Sequence, residues 1–146
     1  MWQRGFASAR EIPEERIHTL YVSEGFLKQK EGRALAERVR HVETVTDEVF
    51  KALSDTQTPQ GVLALVRQYH YTLEQAAGTK DGKPALLMIL EHLQDPGNLG
   101  TIIRAGEGAG ITGVVMSSDT ADIYNPKVIR STMGSVLRVP LYMHMT

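Results

Sequence analysis

The chain has 146 residues, enough for one ordinary domain or two small ones. Its net charge of -1 provides no global basic field for nucleic acid, so a polyanion would need a local patch of cations. No apolar run approaches the roughly 18 residues of a membrane span, and the N-terminus is too polar for a signal peptide. The absence of cysteine excludes disulfides and thiolate chemistry, and we expect a cytoplasmic location.

The first half of the chain predicts a segment of alternating strands and helices. Hydrophobic periodicity, β-forming residues and turn residues define its elements. In chain order they are a strand over 17–22, a helix over 31–40, a strand over 41–45, a helix from a Thr46 cap to Leu53, and a buried strand over 61–67.

A cluster of cations around the first helix has two interpretations. It could form a local patch for a polyanion, or it could be a solvated helix face interleaved with Glu31 and Glu37. Its members are Lys28, Lys30, Arg33, Arg38 and Arg40.

The apolar pattern is lost between residues 70 and 84, where GTKDGKP has the composition of turns and linkers. We therefore predict a domain over 1–69, a linker over 70–84 and a second domain over 85–146.

The second domain begins with a continuous apolar run over 85–90, typical of a parallel strand covered on both faces. After the turn at 95–97, Asn98 is predicted to cap a helix. That helix should bury Leu99, Ile102 and Ile103 and end at Gly110. A strand over 113–116, a helix over 125–133 and a strand over 136–143 follow.

Arg104 lies on a helix stripe that is kept bare by Gly100 before it and Gly108 after it. Glycine in a helix interior is roughly 1 kcal/mol less favourable than alanine, so we expect something to approach this stripe closely. Arg104 could grip a phosphate bidentately, or it could be a surface arginine that pairs with Glu107.

The segment 125–135 is a second candidate site. Lys127 and Arg130 share a helix face, Thr132 brings a hydroxyl, and Gly134 permits close backbone approach. The segment could bind an anion or ligand, or it could be a capped surface helix.

Two other kinds of site are not supported. Gly106, Gly108 and Gly110 stand at the end of a helix, whereas the dinucleotide fingerprint stands between a strand and the start of a helix. The five histidines show no metal-ligand spacing, so we expect no metal site.

DPGNLGTIIRAGEGAGITGVV followed by NPKVIRSTMGSVLRVPLY resembles the first two motifs of the SpoU/TrmH family of RNA ribose 2′-O-methyltransferases, in the knotted SPOUT superfamily. The first motif matches at Asn98, Gly100 and Arg104. The second matches at Lys127, Arg130, Thr132 and Gly134. Upstream, SDTQTPQGVLALV resembles the end of the family's substrate-binding domain.

The resemblance implies an α/β fold. A small N-terminal αβα ribosomal-protein-like substrate-binding domain would precede the first half of a parallel-sheet SPOUT (α/β knot) domain. The family's third motif is absent, and the strand that usually opens the first domain has no counterpart before Glu11. By this comparison the chain resembles a fragment.

The resemblance also implies a reaction, the transfer of a methyl group from S-adenosylmethionine to a ribose 2′-hydroxyl of rRNA or tRNA by a homodimer. The family assigns the arginine matching Arg104 to activating that hydroxyl, and Asn98 would orient Arg104 or the substrate. Because guanidinium almost never gives up its proton, we expect Arg104 to bind phosphate and stabilise the developing alkoxide.

The remaining motif residues would contact the substrate. These are Gly100, Lys127, Arg130 and Thr132, and the last three would line the same cleft or the dimer interface. The cofactor pocket is expected mainly beyond Thr146, so the 146-residue chain alone should be inactive. The alternative is a non-catalytic RNA-binding module with a vestigial methyltransferase domain.

Overall fold

The structure is a computed structural model that describes residues 2–4, 11–54, 56–79 and 82–144. The chain divides into two compact units, Met1–Gln68 and Tyr69–Thr146. Each unit contains one β-sheet with helices packed on it, which confirms the predicted α/β class.

The first unit has a four-stranded sheet in the order β1-β4-β2-β3. β2 and β3 are parallel, whereas β4 is antiparallel to both β1 and β2. The strands are β1 (Trp2–Arg4), β2 (Ile17–Ser23), β3 (Val42–Val45) and β4 (Val62–Val66), and the helices are α1 (Glu24–Leu27), α2 (Lys30–Arg38) and α3 (Asp47–Leu53).

One expectation for this unit is wrong. No opening strand was predicted before Glu11, but β1 pairs with β4 in the register Trp2 to Leu65. Three residues are too few to show strand periodicity in the sequence. The Thr46 cap is confirmed, because its hydroxyl accepts a hydrogen bond from the Val49 backbone N–H at 3.3 Å.

The second unit has three parallel strands in the order β5-β6-β7. The strands are β5 (Leu87–Leu90), β6 (Gly113–Met116) and β7 (Leu141–Met143), and the helices are α4 (Leu73–Ala76), α5 (Pro96–Gly108), α6 (Pro126–Thr132) and α7 (Ser135–Arg138). Leu99 and Ile103 of α5 are fully buried as predicted, while Ile102 is half-buried.

Two strand predictions in this unit need correction. β5 is not covered on both faces, because Ile89 is 75% exposed on the outer strand of the sheet. The strand expected over 136–143 is instead helix α7 followed by the short β7. Gly134, with φ 95°, starts α7, and Val136 and Val139 are buried at helical spacing.

The linker predicted over 70–84 is wrong at α4. Thr72 and Gln75 form a capping box, in which the Thr72 N–H donates to Gln75 Oε1 at 2.8 Å and the Gln75 N–H to Thr72 Oγ1 at 3.3 Å. Ala76 is fully buried within the second unit. The spacing of Thr72 and Gln75 is therefore a helix-start signal that composition alone conceals. Residues 80 and 81 of the expected linker lie outside the described residues.

α5 is capped by Asp95 and not, as predicted, by Asn98. Asp95 Oδ1 accepts the Asn98 backbone N–H at 2.6 Å, and Pro96 is the first helical residue. A capping carboxylate followed by proline therefore starts the helix three residues earlier than expected. The helix ends at Gly108 with Ala109 as its C-cap, and Gly110, whose φ is 86°, follows in the predicted C-terminal glycine position.

α6 packs directly against α5 at Gly100. A Cβ atom built on Gly100 would lie 1.7 Å from Ser131 Oγ and 2.7 Å from the Val128 carbonyl oxygen. The Ser131 hydroxyl donates to the Val128 carbonyl at 2.9 Å and to the Pro96 carbonyl at 3.3 Å, so it also joins the two helices. The bare stripe predicted around Arg104 is thus occupied by α6 at Gly100 and is open only at Gly108.

The loops that follow β5 and β6 are joined through Asp119. Its carboxylate accepts from the Ser117 hydroxyl at 2.5 Å and from His92 Nδ1 at 2.6 Å. The His92 backbone, which has a left-handed φ of 52°, donates its N–H to Ser117 Oγ at 2.9 Å. The hydrogen bond from Ser117, and then that from His92, lowers the pKa of Asp119 below its ordinary value.

Gly100→Ala should lower the free energy of unfolding by about 1–3 kcal/mol, because the new methyl group overlaps Ser131 and backbone that cannot move independently. Gly108→Ala is the matched control, since a Cβ there meets nothing within 4 Å. It should stabilise the protein by at most about 1 kcal/mol. Urea unfolding of both variants checks this, and equal effects would contradict the packing described for α6.

Asp119→Asn should lower the melting temperature at neutral pH. Because folding lowers the pKa of Asp119, its stabilisation exists above the unfolded-state pKa and is lost as pH falls through the folded-state pKa. The difference between the variant and the parent should therefore shrink on acidification. His92→Gln removes only the smaller contribution and should have a weaker effect. A difference that does not change with pH would refute the role given to Asp119.

Candidate functional site

The side chain of Arg104 is exposed on α5 and forms no hydrogen bond or ion pair with any other described residue. The predicted alternative, a pair with Glu107, is not formed. Glu107 is engaged instead by α7, where Arg138 Nε donates to its Oε1 at 2.6 Å and Ser135 Oγ donates to its Oε2 at 2.5 Å. The guanidinium of Arg104 is therefore available to an external anion.

Lys127 lies beside the start of α5. Its Cε is 3.9 Å from the position of a Cβ built on Gly97, and its backbone N–H is fixed by Asn125 Oδ1 at 2.9 Å. Lys127 is exposed, and within the described part of the chain its ammonium group has no partner. α6 thus brings a second cation to the amino end of the helix that carries Arg104.

Arg130 is exposed on the same short helix. Its Nε donates a long hydrogen bond, 3.4 Å, to the Pro126 carbonyl one turn earlier. This contact is weak, so the terminal nitrogens of Arg130 can reach outward.

Asn98 is exposed in the first turn of α5, where its backbone N–H is held by Asp95. No hydrogen bond joins its side chain to Arg104. Six residues separate the two on the helix, which places them on different faces. The structure therefore gives no support to Asn98 as the residue that orients Arg104 and leaves it next to the free amides at the helix start.

Two of the predicted substrate contacts are not on the surface. Thr132 is fully buried, and its hydroxyl donates to the Ile129 carbonyl at 2.7 Å. Gly100 is buried under Ser131. The expectation that these two residues contact the substrate is wrong in this structure, because both form part of the packing that holds α6 in place.

The exposed residue between α6 and α7, Met133, lies within the predicted segment 125–135 but was given no role there. Met133 is 67% exposed and has a left-handed φ of 50°, and Gly134 after it has a φ of 95°. The two successive left-handed residues bend the chain from α6 into α7. A methionine in that conformation has no signature in sequence, since glycine or asparagine is the usual choice.

The first unit has an open cleft of about 700 Å³ at one end of its sheet. Ile17 and the largely buried Thr19 belong to its lining, and charges of both signs surround it. Its polar lining residues include Glu14, Glu15, His18, Arg40, His41, Glu43 and Arg67.

The members of the predicted basic cluster have different roles in the structure. Arg33 donates to the Lys28 carbonyl at 2.8 Å, and Arg38 donates to the Ile12 carbonyl at 3.0 Å, so both serve the fold of the first unit. Arg40 lines the cleft, while Lys28 and Lys30 are exposed.

Within the described ranges, no group of three or more histidine, aspartate or glutamate side chains is arranged to hold a metal ion. None of the described helices is both long enough and apolar enough to cross a membrane.

Two family models match the chain in succession. The model for RNA 2′-O ribose methyltransferase substrate binding covers residues 8–72, and the model for the SpoU rRNA methylase family covers residues 85–146.

Similar curated proteins carry methyltransferase names. An uncharacterised tRNA/rRNA methyltransferase of Synechocystis is 36% identical over 77% of this chain and 40% of its own length. The 23S rRNA (guanosine(2553)-2′-O)-methyltransferase RlmP of Bacillus subtilis is 35% identical over 66% of this chain and 36% of its own length. The chain thus spans less than half of either relative.

Solved structures of methyltransferases have a similar fold. The SpoU methyltransferase AviRb of Streptomyces viridochromogenes matches the whole chain and 54% of its own, with a TM-score of 0.83 and 24% identity. An AdoMet-bound rRNA methyltransferase of Sinorhizobium meliloti matches 97% of this chain and 53% of its own, with a TM-score of 0.76 and 26% identity. With both motifs, both units and both family models in the same order, the chain belongs to the SpoU family of RNA methyltransferases.

Proposed function

We propose that this protein transfers a methyl group from S-adenosylmethionine to a ribose 2′-hydroxyl of rRNA or tRNA. The observation that carries the proposal is Arg104, an exposed cation on α5 with no partner among the described residues. The names of the relatives support the reaction class, and the chain's first unit matches a substrate-binding model.

Arg104 would act on the RNA and not as a base. Guanidinium keeps its proton, so its contribution is to bind the phosphate next to the target ribose and to stabilise negative charge on the 2′-oxygen. Its five donors form a planar fork that matches a phosphate, which a lysine could not reproduce.

Lys127 and Arg130 would hold the RNA backbone beside Arg104. Both are exposed on α6, and α6 is fixed against α5 by the Gly100–Ser131 contact. Because the two helices are already fixed against each other, RNA binding to these cations does not carry the entropic cost of ordering a flexible backbone segment. Asn98, at the start of α5, would contact the substrate at the same end as Lys127.

The cofactor would supply the electrophilic methyl group. An adenosine moiety needs an enclosing cavity, whereas Arg104, Lys127 and Arg130 are exposed on helix surfaces. The site residues described for the second unit therefore do not fit the cofactor, and we assign it no contact among them.

We also propose that the protein is a homodimer in the cytoplasm and uses no metal. Leu87 and Ile89, which share one face of the outer strand β5 and are 36% and 75% exposed, support an interface on the second unit, since adjacent exposed apolar side chains favour contacts.

Arg104→Ala should lower methyl transfer to RNA by about 100-fold or more, because a preorganised charge at the reacting oxygen is lost. The measurement is incorporation of labelled methyl from S-adenosylmethionine into rRNA and tRNA by the native-length protein. Lys83→Ala, an exposed lysine of the second unit outside the site, is the matched control. Retained turnover in Arg104→Ala would overturn its role. RNA binding without any methyl transfer would favour the non-catalytic binding module.

Lys127→Ala and Arg130→Ala should each weaken RNA binding and lower the salt slope by about 0.7, as expected when one phosphate contact to a single strand is lost. Affinities measured by fluorescence anisotropy over a range of salt concentrations check this. If both variants keep the parent slope, α6 does not contact the RNA backbone.

A further inference from the structure

Arg104 has a carboxylate of its own helix within reach. Glu107 follows it by three residues, so the two side chains are neighbours on the surface of α5. Opposite charges at this spacing attract each other weakly and can pair. A paired Arg104 would have to break that contact before it could bind a phosphate.

Helix α7 removes this competitor. Arg138 donates to Glu107 through Nε at 2.6 Å and through Nη2 at 2.9 Å, one bond to each carboxylate oxygen. Ser135 Oγ adds a third bond at 2.5 Å. The Glu107 and Arg138 side chains are only 24% and 39% exposed, and such a bidentate, partly buried pair is stronger than an ordinary surface ion pair.

We propose that Arg138, assisted by Ser135, is a positioning residue that sequesters Glu107 and so keeps the Arg104 guanidinium free for RNA phosphate. The proposal rests on the proposed function for the role of Arg104. It assigns Arg138 no contact with RNA, because Arg138 acts through the charge that it neutralises.

The backbone between α6 and α7 brings α7 into contact with α5. The left-handed residues Met133 and Gly134 turn the chain so that α7 lies against α5, and its Ser135 and Arg138 are three apart on one face. Glu107 therefore has two donors on a single helix face. Arg104, one turn closer to the start of α5, has none.

The test compares Arg138→Gln with the double variant Glu107→Gln/Arg138→Gln in the 146-residue chain. Two quantities are measured. The first is hydrogen exchange of the Arg104 side-chain N–H groups by NMR without RNA. The second is affinity for a 23S rRNA transcript by fluorescence anisotropy. Arg138→Gln should slow exchange at Arg104, because Glu107 turns to it, and should weaken RNA binding about twofold, as expected for competition by an exposed pair on one helix.

The double variant has no carboxylate to compete for Arg104, so it should restore both fast exchange and parent affinity. If Arg138 instead touches RNA directly, the double variant stays as weak as the single one, and the proposal fails. Unchanged exchange at Arg104 in Arg138→Gln would also overturn it. Arg138→Lys keeps a cation beside Glu107 and should resemble the parent, which tests the proposal if the glutamine variant does not fold.

A parent chain that binds no RNA would count against the proposed function, while the NMR measurement would still test the sequestration of Glu107. The two failures are therefore distinguishable.

Discussion

The contact between α5 and α6 at Gly100 fixes the geometry on which the second unit's surface depends. A helix can approach another this closely only where a side chain is missing, and here Ser131 and the Val128 carbonyl fill the space that a Cβ would occupy. The Ser131 hydroxyl then bonds to the first turn of α5 as well as to its own helix. Lys127 is carried to the start of α5 by the same contact.

On the surface of the second unit, some charged groups are paired within the protein and others are not. Glu107, the acidic side chain nearest to Arg104 along α5, is bound by α7, and the Asn98 backbone N–H at the start of α5 is bound by Asp95. Arg104 and Lys127 receive no such partner within the described residues. A chain with a net charge of -1 thereby presents local positive charge, which the overall composition conceals.

The sequence predicts elements correctly where residue type and periodicity have one structural explanation. It does not predict which residues lie at a close contact between two helices. The strands β2, β4 and β6 and the Thr46 cap follow from residue type and periodicity alone. The reason for Gly100 was misjudged, because a bare helix position looks the same whether a ligand or another helix covers it. Thr132 failed similarly, since a hydroxyl can serve its own helix as well as a substrate.

Motif residues in this unit therefore fall into two physical groups that sequence alone cannot separate. Gly100, Thr132 and Ser131 are buried or half-buried and fix the distance between helices. Arg104, Lys127 and Arg130 are exposed and depend on that distance for their placement. A change in the first group should move all three cations together, whereas a change in the second removes one charge. Substitutions at Gly100 and at Arg104 would thus both impair RNA binding, but only the former would also change the stability of the unit.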